Sequence, residues 1–308
     1  MENVVYVSIC MITYNHENYI AKAIEGVLKQ KTNFDFELII GEDCSTDSTK
    51  EIVEKYKNQY PEKIKIITSE RKVGMILNLI RTLESCRGKY IAFCEGDDYW
   101  TDTSKLQKQV DFLESNPDFA MCSHAVKTVF EGVKEKNPFL KPLEISTFED
   151  IVNHGHFIPT LSIVFRRSAL PKIPFWFKDL WIGDIPLILL VTHYGKNYYI
   201  DKIMGVKRKH QGGITQQSER KTRKFKEYSI VNTLFFYKKL NKFFGYEHKK
   251  VLNPIIAKHH LYVMYNNFKN RKYFESVVNL FYSLYYSRKI FLQNFIKNTI
   301  NQKKYKVK

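Results

Sequence analysis

A chain of 308 residues that is 44% hydrophobic can bury a sizeable core, and this composition places it among globular proteins rather than disordered or fibrous ones. No apolar run approaches the roughly 18–20 residues of a membrane-crossing helix, and five cysteines with no Cys-x-x-Cys pair read as reduced thiols of a cytosol rather than a disulfide framework. The net charge of +17 is segregated: residues 221–308 hold 20 Lys/Arg against 3 Asp/Glu, which leaves 29 against 29 in residues 1–220. An anionic partner for the C-terminal segment is implied, with membrane lipid and nucleic acid as the two classes to weigh.

Val4 to Ile12 is apolar but lacks a basic n-region and a small-residue cleavage site, so it reads as a first buried strand ending in Thr13-Tyr14-Asn15. Ile20, Ala23, Ile24, Val27 and Leu28 recur at helical spacing. Phe36 to Gly41 predicts a second strand, running into Glu42-Asp43-Cys44-Ser45-Thr46-Asp47-Ser48-Thr49, where Asp47 or Ser45 can cap the helix carrying Ile52, Val53 and Tyr56. Ile64 to Ile67 is a third strand, a helix spans about Met75 to Ser85, and Tyr90 to Cys94 is a buried strand that stops at Glu95-Gly96-Asp97-Asp98. This alternation predicts an α/β fold with a mostly parallel, doubly wound sheet between helices. Residues 119–128 and 160–166 read as further strands, with a polar stretch from Phe130 to His156 and a short helix at Thr147 to Asn153 between them. His154 and His156 flank Gly155 there without a third ligand, and read as loop histidines rather than a zinc site.

Loops that follow parallel strands lie on one sheet edge, where open α/β folds bind ligands. Glu95, Asp97 and Asp98 place three carboxylates in four residues at that edge. Burial without a cation would be costly, and hard divalent ions such as Mg²⁺ or Mn²⁺ prefer oxygen ligands. A cap for the next helix, from Asp98 or Asp102, accounts for one acid and not three. With no Gly-x-Gly-x-x-Gly or Walker loop in the chain, phosphates are expected to be held through a metal.

Taken in order and spacing, Thr13-Tyr14-Asn15, Glu42 to Thr49, and Gly88-Lys89-Tyr90 leading into Glu95-Gly96-Asp97-Asp98-Tyr99-Trp100 resemble the nucleotide-sugar domain of family 2 glycosyltransferases of the GT-A fold, over residues 1 to about 125. The family's aspartate-any-aspartate motif appears with Glu95 in first place. The resemblance implies that Thr13 and Asp43 contact the base and ribose of a uridine-type donor, with Tyr14, Asn15 and Glu42 in the same nucleotide-sugar site. It sets Asp97 and Asp98 at the ribose, metal and diphosphate, with Glu95, Asp97 and Asp98 as the metal set and the choice between the two aspartates open. In Trp181 to Leu187, Asp184 begins an apolar helix at Leu187 to Val191. Local grounds balance a helix cap before Pro186 against a chemical role, and the resemblance favours the catalytic base of an inverting enzyme. Asp179 is the rival, without the Gly-Asp-x-Pro-Leu context. Gly205 to Thr215 resembles the basic, histidine-containing segment of relatives, a Gly-Gly loop with Arg208 and His210 as phosphate-side contacts; the alternative is a solvated basic loop.

From Lys221 the pattern is helical, with aromatic groups among lysines and breaks at Asn253-Pro254 and Asn270-Arg271. The expected organisation is a GT-A domain over residues 1–220, with a nucleotide-sugar half to 125 and an acceptor half beyond, and a basic helical extension over 221–308. The implied function is a metal-dependent inverting glycosyltransferase, using Mn²⁺ or Mg²⁺ and a UDP-linked donor. It would act on a growing cell-surface glycan or lipid-linked acceptor from the cytoplasm, peripheral on an anionic membrane. A nucleotidyltransferase would need a Gly-rich, lysine-containing phosphate loop, and a nucleic-acid-binding protein a recognition motif. The sequence contains neither, and no nucleic-acid partner is expected.

Overall fold

Aliphatic and β-branched runs with few charges dictate strands buried on both faces, and the N-terminal part of the chain is built on such runs. The computed structural model describes residues 5–132, 143–154, 158–213 and 218–293. In chain order it forms β1 (Val7–Thr13), α1 (Ile20–Leu28), β2 (Phe36–Glu42), α2 (Thr49–Gln59), β3 (Ile64–Ile67), α3 (Met75–Glu84), β4 (Tyr90–Phe93), β5 (Tyr99–Trp100) and α4 (Lys105–Ser115). There follow β6 (Phe119–Glu131), β7 (Ile145–Ser146), α5 (Phe148–His154), β8 (Val164–Arg166), α6 (Asp184–Thr192) and β9 (Lys196–His210). Every residue of β2 is buried, and α1 buries Ile20, Ala23, Ile24 and Val27, the stripe its spacing predicts.

The strand order is β3-β2-β1-β4-β8-β6-β9-β5, with β7 also on β9. β1 pairs in parallel with β2 and β4, and β2 with β3. Beyond β4 the sheet is mixed: β8 is antiparallel to both β4 and β6, while β9 is parallel to β6. Because β1, β2 and β4 run the same way, their carboxyl ends share one edge, with Thr13 level with Glu42 and Cys10 with Phe93. Val7, Ile9 and Met11 of β1 join Leu38 and Ile40 of β2 and the buried face of α1 in the core beneath that edge.

Two local expectations change. Thr160–Ser162 is a 3₁₀ turn, and the strand proper is confined to Val164–Arg166. Residues 205–210 are not loop but the last part of β9, leaving Gln211 to Gly213 as the turn. The charges along Lys-Asn-Tyr-Tyr-Ile-Asp-Lys hide this strand from an apolar-run criterion. His156 lies outside the described residues.

The chain divides into two compact units at residues 217/218. The second contains α7 (Ser218–Lys221), α8 (Arg223–Phe243), α9 (Lys249–Lys269) and α10 (Tyr273–Tyr286). Thr222 caps α8, its hydroxyl accepting from the Phe225 N–H at 3.1 Å. Pro254 is inside α9 rather than at a break. The chain turns instead at Gly245 and Tyr246, with φ of 56° and 66°, and the break expected at Asn270-Arg271 is present, with Arg271 at φ 60°.

One core charge stands out. Lys105 begins α4 fully buried, its Nζ 4.0 Å from the Trp100 ring centroid and without a hydrogen-bond partner among the described residues. Burial holds its pKa down at about 7, against the opposing pull of Cys94 and Cys122. The unfolded chain, with a lysine pKa of about 10.4, therefore binds a proton that the folded chain has released between about pH 7 and 10. Stability must rise with pH across that window. Lys105→Met, which fills the same space without the charge, is expected to raise stability by about 1–4 kcal/mol at neutral pH. It should also flatten the dependence of Tm on pH between 7 and 9.5. A variant that melts lower than wild type at pH 7 would show that the ammonium over Trp100 is net stabilising.

Candidate active site

The three motif loops are tied together at the carboxyl edge. After β1, Asn15 adopts φ 55°, a left-handed conformation that asparagine tolerates. Its N–H donates to Ser45 Oγ at 3.0 Å, and its carboxamide exchanges hydrogen bonds with Thr46. The His16 N–H donates to Thr49 Oγ1 at 2.7 Å, and that of Glu17 to Asp47 Oδ2 at 3.1 Å. Glu42 is fully buried and accepts from the N–H groups of Cys44 and Ser45 at 3.1 and 2.7 Å, which holds the turn in which Cys44 has φ 59°. Asp43 accepts from the successive N–H groups of Val73 and Gly74 at 2.8 and 2.9 Å, with Arg81 3.7 Å away. Tyr14 carries Lys72 Nζ 3.4 Å from its ring centroid. Gly96 brings the third loop in: its N–H donates to Ile12 O at 3.0 Å, and a Cβ there would stand 2.6 Å from Thr13 Oγ1 and 3.0 Å from His16 Nδ1. Only glycine permits that approach.

The acids after β4 separate into two environments, and β9 creates both. Successive strand residues point to opposite faces. On one face, His210 Nε2 lies 3.2 Å from Asp97 Oδ2, and Arg208 Nη1 donates to Asp97 O at 2.9 Å. The Arg208 guanidinium also lies 3.4 Å from Glu131 and 4.4 Å from the Tyr99 ring centroid. Burial would raise Asp97, but the His210 hydrogen bond and the charges of His16 and His210 prevail and hold it down at about 2. On the other face, Lys207 and Lys209 act on Glu95 and Asp98. Burial, then Asp97 and Asp184, push Glu95 up to about 7 against Lys207 and Lys209. Burial, Asp97 and Glu95 push Asp98 well above the usual carboxylate range, although its Oδ1 accepts the Arg208 N–H at 2.8 Å. Burial opposes the Lys207 ammonium, but Glu95, Asp98 and Asp184 outweigh it and the pKa rises. Burial and the Lys207 charge hold Lys209 below the usual lysine value.

Asp184 is the first residue of α6. Gly183 occupies the cap position, and Asp184 Oδ1 accepts from the Ile185 N–H at 2.9 Å. Its charge acts on both Glu95 and Lys207. Asp179 closes a separate 3₁₀ turn, Phe175–Asp179.

Among the described residues, His16, Asp97 and His210 bring one ligand atom each within 4.8 Å of one another. Two imidazoles and a carboxylate fit a divalent transition ion better than Mg²⁺, which prefers oxygen throughout. His16 was missed in the sequence, although it directly follows Thr13-Tyr14-Asn15. Lys207 and Lys209 were missed as well, and period-two alternation along 207–210 was the available signal.

A GT-A-type α/β fold with acids, imidazoles and lysines at its carboxyl edge defines a class of enzymes that handle nucleotide sugars. A family model described as glycosyl transferase family 2 matches residues 8–173, past the position near 125 where the sequence motifs run out. The chain belongs to this family. An uncharacterised protein of Mycobacterium tuberculosis is 36% identical over 227 residues, covering 71% of this chain and 63% of its own length. The Escherichia coli protein WfgD, named UDP-Glc:alpha-D-GlcNAc-diphosphoundecaprenol beta-1,3-glucosyltransferase, is 30% identical over 183 residues, 58% of this chain and 68% of WfgD. The crystal structure of Staphylococcus aureus TarS residues 1–349 in complex with UDP-GlcNAc shares the fold, with a TM-score of 0.64 at 19% identity over 93% of this chain and 83% of that one.

The two environments make separable predictions. Asp97→Ala should weaken Mn²⁺ binding roughly 10–100-fold, by analogy with losses at other metal shells, when the free ion is counted by electron paramagnetic resonance. Asp98→Asn keeps an oxygen for the Arg208 N–H and should leave that affinity unchanged. Equal losses in both variants would keep Asp98 in the ligand set.

Proposed function

We propose that this protein is an inverting glycosyltransferase that moves a sugar from a UDP-linked donor to a hydroxyl of a growing cell-surface or lipid-linked glycan. The observation that best supports this reading is that the charge of Asp184, from the second half of the sheet unit, acts on both Glu95 and Lys207. Support for the donor comes from Thr13, Tyr14, Asn15 and Asp43, which line the loops where the base and ribose are expected. WfgD and TarS carry UDP-sugars in their names or complexes. The acceptor class follows the diphosphoundecaprenol of WfgD. Five unpaired cysteines agree with a cytoplasmic enzyme, peripheral on the inner face of the cell membrane.

His16, Asp97 and His210 would hold a divalent ion, Mn²⁺ in preference to Mg²⁺. Such an ion supplies positive charge to a departing diphosphate. The chain's own residues do the rest. The Asp184 carboxylate takes the acceptor's hydroxyl proton as that oxygen bonds to the anomeric carbon. The bond from that carbon to the phosphate oxygen breaks, and UDP leaves with the electron pair. Lys207 and Lys209 stabilise the charge developing on it, and Arg208 keeps the Asp97 backbone in place. Glu42 holds the second loop in shape, a positioning role within the nucleotide site.

Screening UDP- and GDP-sugars for nucleotide release in the presence of Mn²⁺ tests the donor: release from a UDP-sugar is expected, and release from GDP-sugars alone would overturn that assignment. Asp184→Asn tests the base. It should melt like wild type and bind UDP equally well, while transfer falls by roughly 10²–10⁴. A role confined to the first turn of α6 predicts near wild-type transfer instead.

A further inference from the structure

The second unit contains a helix built inside out. On α10, Ser276 and Ser283 are buried, the Ser276 hydroxyl donating to Met264 O of α9 at 2.9 Å. Asn279 Oδ1 lies 2.8 Å from His260 Nδ1, also on α9. Residues 276, 279 and 283 recur at helical spacing, so the face turned toward α9 is polar. The outward face is apolar: Phe274 is 78% exposed, Val277 50%, Phe281 66% and Tyr285 81%, again at helical spacing. Tyr262, Tyr265 and Phe268 of α9 are exposed too. Water-soluble helices turn the apolar stripe inward, and a contiguous exposed one marks an interaction site.

Charge decides what covers it. Lys269, Arg271 and Lys272 precede the stripe and Arg288 and Lys289 follow it, with Glu275 the one acid from 269 to 289. A second copy pairing α10 with α10 would set cations against cations in either orientation, since both ends of the helix are positive. An anionic bilayer answers both features, because Phe and Tyr settle at the level of the headgroups while Lys and Arg meet the lipid phosphates. No helix among the described residues is long and apolar enough to cross a membrane, so the contact is made from the surface.

We infer that the Phe274, Val277, Phe281 and Tyr285 face of α10, between its two cationic ends, is the surface that seats this protein on anionic lipid. The inference sharpens the peripheral association proposed above. It does not depend on the sugar chemistry, because binding is measured without donor or acceptor. Failed vesicle binding would leave transfer to a soluble acceptor unaffected, and a failed donor screen would leave vesicle binding unaffected.

The full-length protein is sedimented with phosphatidylcholine vesicles, with and without phosphatidylglycerol, at low and high salt. Wild type should bind the anionic vesicles, more weakly as salt rises, and should not bind the neutral ones. Phe274→Ser/Phe281→Ser/Tyr285→Ser alters only exposed side chains. It should keep its melting temperature and lose roughly 10–100-fold in partitioning. Should that variant fold poorly, Phe281→Trp serves instead, its emission shifting to the blue on addition of anionic vesicles against the wild-type tryptophan background. Absence of wild-type binding, or undiminished binding by the folded triple variant, would overturn the inference. So would emission from the Phe281→Trp variant that is already blue-shifted without lipid, or a wild-type dimer that the triple variant converts to monomer in light scattering, since either result puts protein on the stripe.

Discussion

The contact between His210 Nε2 and Asp97 Oδ2, 3.2 Å long, is the constraint on which the candidate site depends. Two ionised carboxylates 4 Å apart would repel one another by ~4 kcal/mol when the effective dielectric constant is near 20, and three acids fall within residues 95–98. The fold answers by dividing them. Asp97 is drawn to the imidazoles of His16 and His210 and held ionised, while Glu95 and Asp98 remain with Lys207 and lean toward their neutral forms. The division requires a strand with positive groups on both faces, and β9 provides it with Lys207 and Lys209 on one side and Arg208, beside the His210 imidazole, on the other.

β9 also explains how the two halves of the sheet unit cooperate. It lies beside β6 along most of its length and pairs with β5 through Tyr99 and Trp100, directly after the acidic turn. A displacement of β9 would therefore move the cations and the segment leaving the acids together. Gly96 adds a second fixed point: its close approach to Thr13 and His16 locks the acidic turn onto the loop after β1. The site is positioned by backbone hydrogen bonds and steric contact, with the charges arranged on that frame.

Much of this was legible in the sequence where burial on both faces forces an apolar run. β1, β2, β3 and β4, with the helices between them, could be read from runs and helical spacing because nothing else competes for those residues. The motif loops were legible as acids and small polar residues at strand ends. What escaped notice obeys a different physics. β9 carries charge because it lines the site, so its residues read as a basic loop although its backbone is paired along the sheet. The role of His16 depends on the fold of the turn after Thr13, which no local pattern encodes. The partners of Glu42, backbone N–H groups of its own loop, are likewise not displayed by sequence.

The second unit was misread for a related reason. Pro254 suggested a break, yet a missing N–H is tolerated within α9; the chain turns at Gly245 and Tyr246, which adopt positive φ, while the break expected at Asn270-Arg271 is present. Phe and Tyr at helical spacing are usually core, and on α10 they are exposed instead. Their exposure appears only once Ser276, Asn279 and Ser283 are seen to take the inner face, the first two through hydrogen bonds to α9. An apolar stripe left outside costs free energy in water, and the polar side can be buried in its place because Ser276 and Asn279 find partners there. Lys269, Arg271 and Lys272 before α10 and Arg288 and Lys289 after it thus flank the exposed stripe along the chain.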